Sequence, residues 1–426
     1  MRANIILWEN VLWKNFYPFS LTRPVFDLRV GAFTFRERAL QFFPKSNISC
    51  ICRDEMKGLM IAEAVDTTGN IIDLSLPTIF LSGRTFFDKR AIGYITGAKS
   101  PTVFISEGVP VALFLPPRDE RWRQYFGEIF SENTYALMLK SFDAIDISVV
   151  SVAMVWELIV NNSKLIEEDF ELFYKRDVGA FNAEPRAVLY EPEHISIDED
   201  ARIDAFVTLD ARKGPIIIEQ NAHIHSGAVI NGPAVIGKKA EIMQFARIRE
   251  GTTIGPMCRI GGEVEESIFI GNSNKYHDGF VGHSCIGEWV NLGALTTNSD
   301  LKNNYGEVRV SMPDGQARTG YNKIGTFIGD HAKLGIGTLI PSGSTIGVAA
   351  NFYGGGMMQK YTPSFIWGSI EDGFTHYDVE KAISTAQIVM ERRDRKFLHA
   401  HNTLLHRVYE LTMDDRSNFI IKNPKK

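Results

Sequence analysis

Cysteine is scarce in this chain, long apolar runs are missing, and neither sign of charge dominates; each shortage removes a class of function. The 426 residues include four cysteines, Cys50, Cys52, Cys258 and Cys285. A C-x-C pair has neither a zinc-site nor a thioredoxin-type spacing, and strand alternation puts Cys50 and Cys52 on one face, so they read as reduced core thiols. The apolar stretches are short or carry charges, which predicts no membrane span. The N-terminus, MRANIILWENVLWKNF, is interrupted by Glu9 and Lys14 and is followed by no small-residue cleavage site. It reads as a first β-strand rather than a signal peptide, and a cytoplasmic protein is expected. A net charge of −5 with 23% charged residues gives no electrostatic case for nucleic acid or an anionic membrane as partner.

What the chain does contain is a repeat. Isoleucine stands at 218, 224, 230, 236, 242, 248, 254 and 260, always six residues apart. Four residues after each comes Ala222, Ala228, Ala234, Ala240, Ala246, Thr252, Cys258 and Val264. The rhythm continues upstream at Ile197, Ile203 and Leu209, and downstream at Ile286, Leu292, Ile328, Leu334, Ile340 and Ile346. Six residues advance an α-helix by about 600°, which would carry the stripe around the axis. Short strands joined by corners hold it: three hexads form one triangular coil, and stacked coils bury a core that one coil could not. The pattern predicts a left-handed parallel β-helix. Gly237, Gly255, Gly261, Gly287, Gly329 and Gly347 follow the aliphatic residue directly, where turns are expected to need a permissive backbone. Two features interrupt the solenoid, GNSNKYHDGFVGHS (271–284), expected as a loop that leaves it, and an insertion at about 299–322.

Outside the repeat, strand-like runs (IIL, SCICR, TIFLS, TVFIS, VALFLPP) alternate with helical stretches and predict an α/β domain over 1–150. A helical connector is expected over 151–190, the β-helix over 191–370, and C-terminal helices over 371–426. Because its core is internal, the solenoid is expected to fold on its own when cut near 185.

The segment FARIREG…NSNKYHDGFVGHSCIGEWVNLGALTTNSDLKNNYG, followed by NKIGTFIGDHAKLGIGT, resembles the acetyltransferase half of the bifunctional GlmU enzymes. LTRPVFDLRVGAFTFRER and PSFIWGS…AISTAQIVMERR are similar to a divergent GlmU-like subfamily. The resemblance implies a nucleotidyltransferase-like N-terminal domain and an acetyl-CoA-dependent N-acetyltransferase acting on glucosamine-1-phosphate or a related amino-sugar phosphate. It implies a homotrimer with sites between neighbours. It places the catalytic histidine at His277, substrate contacts at Arg249, Asn291 and Lys323, and the backbone N–H that meets the thioester near Ala294. Phe280 stands where the family has tyrosine, and the family's phosphate-binding lysine falls near Glu266 and Ser267, leaving Lys275 as a replacement. The family's N-Y-D-G turn is rebuilt as TNSDLKNNYG.

The residue types suit that chemistry. Acyl transfer to an amine needs a base, a donor for the developing oxyanion, and cations for a substrate phosphate. Histidine is the natural base near neutral pH. His283 aligns with no family group and reads as structural. Arg249 and Lys323 flank inward aliphatics and should point outward; a single basic residue there is ordinarily just solvated, so their case rests on both aligning. Asn291 holds substrate or forms an asparagine ladder between coils.

In the N-terminal domain the resemblance departs further. Where sugar-1-phosphate nucleotidyltransferases carry a glycine-rich phosphate loop, this chain reads ENVLWKNFYPFS, with no glycine. LTRP puts Arg23 in place of the usual lysine, and a strand ends LSGR, with Arg84 in place of a metal-binding acid. Lys14, Arg23 and Arg29 remain to meet a nucleotide, with Mg²⁺ and UTP or another nucleoside triphosphate expected if this domain is active. Two alternatives stay open: a sugar-nucleotide-binding regulatory module with a degenerate nucleotidyltransferase domain, and an acyltransferase on another acceptor.

Overall fold

The apolar runs of the N-terminal region form one six-stranded mixed sheet. A computed structural model describes residues 1–127, 129–175, 184 and 186–425. In spatial order the strands are Asn47–Ile51, Asn4–Trp8, Thr78–Ser82, Val109–Leu115, Thr102–Ser106 and Asp143–Asp146. The first three run parallel, and Val109–Leu115 is antiparallel to both its neighbours. All five residues of Asn4–Trp8 are buried, as expected for a strand covered on both faces. Helix Phe35–Phe42 begins with a Thr34/Glu37 capping box, which satisfies two of the amide groups that a helix start leaves unpaired.

From Val188 to Ser369 the chain winds as a parallel β-helix. The first face stacks six strands, from Val188–Tyr190 to Phe280–Gly282; the second stacks nine, from Ile195–Ile197 to Tyr361–Thr362; the third starts at Arg202–Ile203 and runs past Ile366–Ser369. Aliphatic sits over aliphatic in register: Ile218 over Ile236, Ile254, Phe269, Ile286, Ile328 and Ile346. These side chains are almost fully buried, and each such burial contributes roughly 1.5–3 kcal/mol.

Three expectations need correction. The glycines after the aliphatics are not there for positive φ; Lys239, Met257 and His331, two residues further on, take that conformation instead. A Cβ on Gly255 would sit 2.1 Å from the Ile270 carbonyl oxygen of the next coil, so glycine there permits the close stacking of coils. Next, residues 271–284 do not leave the solenoid. Asn274–Lys275 pairs with Arg259–Ile260, and Phe280–Gly282 pairs with Glu263–Glu265. The coil is shortened instead: Phe269 lies over Ile254, fifteen residues on, where Ile254 lies over Ile236, eighteen on. The insertion after Asn298, by contrast, does leave it, as a hairpin of Arg309–Met312 with Gly315–Arg318.

The third correction concerns independence. Outward residues of the second face are apolar (Ile217, Val235, Ile268, Cys285, Phe327), and they share cores with the α/β domain and its connector. Helix Trp156–Asp169 bolts the two together through buried Asn162. Its Oδ1 accepts from the Gly31 N–H (2.8 Å), and its Nδ2 donates to the Gly251 carbonyl (2.8 Å) and Thr253 Oγ1 (3.1 Å). An isolated solenoid would expose that face. Part of the expected connector, residues 176–183 and 185, lies outside the described residues. Three helices follow the solenoid, Val379–Glu391, His399–Leu411 and Met413–Lys422. The second packs on helix Asp54–Ala62 of the α/β domain. The last sets Phe419 against Phe374 at 5.2 Å, covering the end of the solenoid interior.

Candidate functional site

On the third face the residue just before each inward aliphatic points outward, and parallel register lines these residues up in a column. Arg202, His223, Glu241, Arg259, Asn274, Asn291 and Lys333 follow one another, strand by strand. At the corner after Asn274–Lys275 the column opens into a cavity of about 330 Å³, lined by Arg259, Asn274, Tyr276, His277, Asn291, Ala294 and Ile336 among others. His277, Asn291 and Ala294 thus meet in one place. His277 is exposed, its ring packed edge-on against Tyr276 at 5.2 Å. The Ala294 carbonyl accepts from the Gly337 N–H at 2.8 Å.

Arg259 and Asn274 line this site, and Arg393 holds Asn274 from behind; none of the three was singled out from the sequence. Arg259 donates through Nε to Glu241 at 3.0 Å. Arg393, from the C-terminal segment, donates to the Met257 carbonyl (2.9 Å) and to Asn274 Oδ1 (2.7 Å). The signal that could have found the first two is their slot: each stands directly before an inward residue, as Asn291 does.

Lys275 is the clearest departure from expectation. It lies in register with Ile260, in the inward slot, and is almost fully buried. The shortened coil puts it there. Its Nζ donates to the carbonyls of Gly261 (2.8 Å) and His277 (2.9 Å), and burial lowers its pKa to about 8. It is therefore not free to meet a phosphate; it holds the backbone of the His277 corner.

Arg249 and Lys323 do not line the cavity. Arg249 points outward from the first face, with Nη1 3.2 Å from Glu265 and 3.5 Å from Glu263, so carboxylates already occupy it. Lys323 is exposed near a second polar cluster, where His283 Nδ1 lies 2.7 Å from Asp300 Oδ2. Burial works to raise the Asp300 carboxyl, but the His283 hydrogen bond and the charges of His283 and Lys323 bring it below the usual carboxylate range.

In the α/β domain the positions expected to meet nucleotide are differently used. Residues 11–27 form short 3₁₀ turns, and Phe16, Phe19 and Phe26 fill the space beneath them. Lys14 is exposed on the first of these turns. Arg23 is buried and ion-paired with Asp330 and Glu288 of the β-helix, so the guanidinium expected on a nucleotide phosphate serves as a tether between domains. Arg23 and Arg29 both line a cavity of about 390 Å³ where the α/β domain, the solenoid and the C-terminal helices meet. Arg29 donates to the Ala32 carbonyl and to Glu37. Arg84 donates to the Val152 carbonyl at 2.8 Å, and burial lowers its pKa. A guanidinium at that strand end does not fit Mg²⁺, which needs oxygen ligands. Among the described residues no helix is long and apolar enough to cross a membrane.

Fold and site together define an architecture: an α/β domain docked along one face of a parallel β-helix, with a histidine-bearing cavity on another face. Residues 5–177 match the family model described as sugar nucleotidyl transferase. The chain is 38% identical over 150 residues to a bifunctional sugar-1-phosphate nucleotidylyltransferase/acetyltransferase of Sulfurisphaera tokodaii, covering 35% of this chain and 37% of that protein. It is 24% identical over 286 residues to the bifunctional protein GlmU of Aromatoleum aromaticum, covering 61% and 58% respectively. The chain is thus similar to these bifunctional proteins over part of its length, and the matched regions span from about a third to somewhat over half of their lengths. It is also similar, at a TM-score of 0.23 and 14% identity, to a UDP-N-acetylglucosamine acyltransferase from Campylobacter jejuni, over 57% of this chain and 98% of that one.

Proposed function

We propose that this protein transfers an acetyl group from acetyl-CoA to the amine of glucosamine-1-phosphate or a related amino-sugar phosphate, with His277 as general base. The observation that carries the reading is the convergence of His277 with Asn291 and Ala294 of the next coil on one cavity. His277 takes a proton from the substrate ammonium; the freed amine attacks the thioester carbonyl; the oxyanion is met by a backbone N–H at Ala294; the C–S bond breaks and CoA leaves as thiolate, which regains a proton. Asn291 and Arg259 orient the sugar and its phosphate. Arg249 and Lys323 join this site if a neighbouring chain brings them to it, as in a homotrimer. The second face is covered by the chain's own α/β domain, which leaves the first and third for such neighbours.

A second reading holds for the N-terminal half. The committed Arg23, the aromatic-filled turns and the guanidinium of Arg84 favour a domain that has kept the nucleotidyltransferase fold for docking or for sensing a sugar nucleotide, rather than for nucleotidyl transfer. One mixture tests both halves: acetyl-CoA, glucosamine-1-phosphate, UTP and Mg²⁺, with free thiol and pyrophosphate assayed separately. Thiol release without pyrophosphate is the expected result. Pyrophosphate without thiol would overturn both readings, and the two together would restore a bifunctional enzyme.

A further inference from the structure

Three coils before His277, the same outward face carries a constellation that acyl transfer does not use. His223 and His225 flank the inward Ile224, so both imidazoles project from the same side of the strand. Asp204 follows Ile203 in the preceding strand, which aligns Arg202 with His223 and Ile203 with Ile224. Asp204 Oδ2 lies 3.0 Å from His223 Nε2 and 3.6 Å from His225 Nδ1. All three side chains are about one-fifth exposed, which leaves them reachable from solvent.

The His225 ring makes no hydrogen bond among the described residues: its Nδ1, turned to Asp204 Oδ2, stands 3.6 Å from it. The two imidazole rings stand 3.7 Å apart between centroids, a packing that penalises charging both. Two close imidazoles, tilted 39° to one another and both turning a ring nitrogen to one carboxylate oxygen, make a donor set that a cation would complete.

We propose that Asp204, His223 and His225 bind a divalent transition-metal ion of the zinc type, through two imidazoles and one carboxylate, with a fourth position left to water. Tetrahedral zinc with bonds of ~2.0–2.1 Å sets neighbouring ligand atoms roughly 3.3 Å apart; the observed 3.0 and 3.6 Å bracket that spacing. The candidate donor atoms all lie within 4.8 Å of one another. Imidazole with carboxylate suits zinc, nickel, cobalt or copper better than magnesium or calcium. Outer partners are in place. Arg202 Nε donates to Asp204 Oδ1 at 2.9 Å, which leaves Oδ2 turned to the histidines. Glu241, aligned with His223 in the next strand, adds negative charge and is itself held by Arg259.

The position suggests what the ion does. Arg202–Ile203 is the edge strand of the third face, with a neighbour on one side only. A metal shared between it and His223–Ile224 pins the first coil to the second and holds the edge strand against fraying. The role is independent of acyl transfer, so its failure would leave the proposed activity untouched.

The test uses the whole chain, stripped with EDTA and dialysed. Zinc chloride titrated calorimetrically should bind at one equivalent per chain and raise Tm, and cobalt(II) should give the visible d–d bands of a low-coordinate site. Asp204→Asn, His223→Gln and His225→Gln should each lower zinc affinity by more than the ~10–100-fold that follows loss of an outer partner. Their stripped forms should melt like the stripped parent; if one histidine variant does not fold, the carboxylate variant carries the test. No zinc uptake, or uptake unchanged in all three variants, would overturn the assignment.

Discussion

Arginines in the two halves of this molecule have opposite fates. In the α/β domain Arg23, Arg29, Arg38 and Arg53 are all buried, and each is paired with a carboxylate: Asp330, Glu37, Asp169 and Glu9 respectively. On the third face of the β-helix, Arg259 stays partly open and looks into a cavity beside His277, Asn274 and Asn291. A buried cation whose partner is already in place has little left to offer a phosphate, because removing that partner leaves an uncompensated charge. The comparison teaches that motif position alone does not define a site. Arg23 sits where a nucleotide-binding lysine would, and its chemistry has been spent on holding two domains together.

The largest effect that could break this comparison is loss of the tether itself. Residues 186–426 produced alone should expose Ile268, Cys285 and Phe327 of the second face, which now share a core with the α/β domain. That fragment should aggregate or bind a hydrophobic dye strongly, while the whole chain melts in one transition. A soluble fragment that melts as sharply as the whole chain would show the halves to be independent after all.

Next in size is the buried pair of Arg38 and Asp169, which links the α/β domain to the connector helix. Arg38→Ala should cost about 3–5 kcal/mol in urea unfolding, whereas Arg202→Ala, exposed on the solenoid, should stay within about 1 kcal/mol. Equal costs would erase the contrast drawn here. Arg259→Ala should raise KM for the amino-sugar phosphate about tenfold, the loss of a hydrogen bond to a charged group, and Arg23→Ala should alter stability without altering that KM.

The smallest effect is a matter of pH. Burial lowers the Lys275 ammonium to about 8, well below the unfolded value near 10.4. Between those values the unfolded chain binds more protons than the folded one, so stability at this site rises with pH across that window; below it, the folded state carries the full penalty of a buried charge. Lys275→Met should therefore gain stability relative to the parent at pH 7, and the gain should shrink by pH 10. A constant difference across that range would mean that Lys275 is not buried as described.

Much of the solenoid is written in the sequence because its period repeats: the six-residue isoleucine spacing fixes which side chains point inward, and the slot before each aliphatic fixes the outward column. Asn291 could be placed outward on that basis, whereas His277 and Ala294 were legible by resemblance alone. Lys275 could not, because a coil three residues shorter than its predecessors shifts which residue falls in the inward slot, and no local feature announces the deletion. Nor could the state of Arg249, whose partners Glu263 and Glu265 lie a full coil further on and reach it across the stack. The docking of the α/β domain left a trace that was available, since apolar residues at outward positions of a solenoid face need a cover.

Thiol release from acetyl-CoA with glucosamine-1-phosphate should fall about 10²–10⁴-fold in turnover for His277→Ala, with acetyl-CoA affinity little changed, while His283→Ala, which breaks the pair with Asp300, should change stability and leave turnover near the parent's. The reverse pattern, near-normal turnover without His277 and none without His283, would move the base to the other corner and contradict the site described.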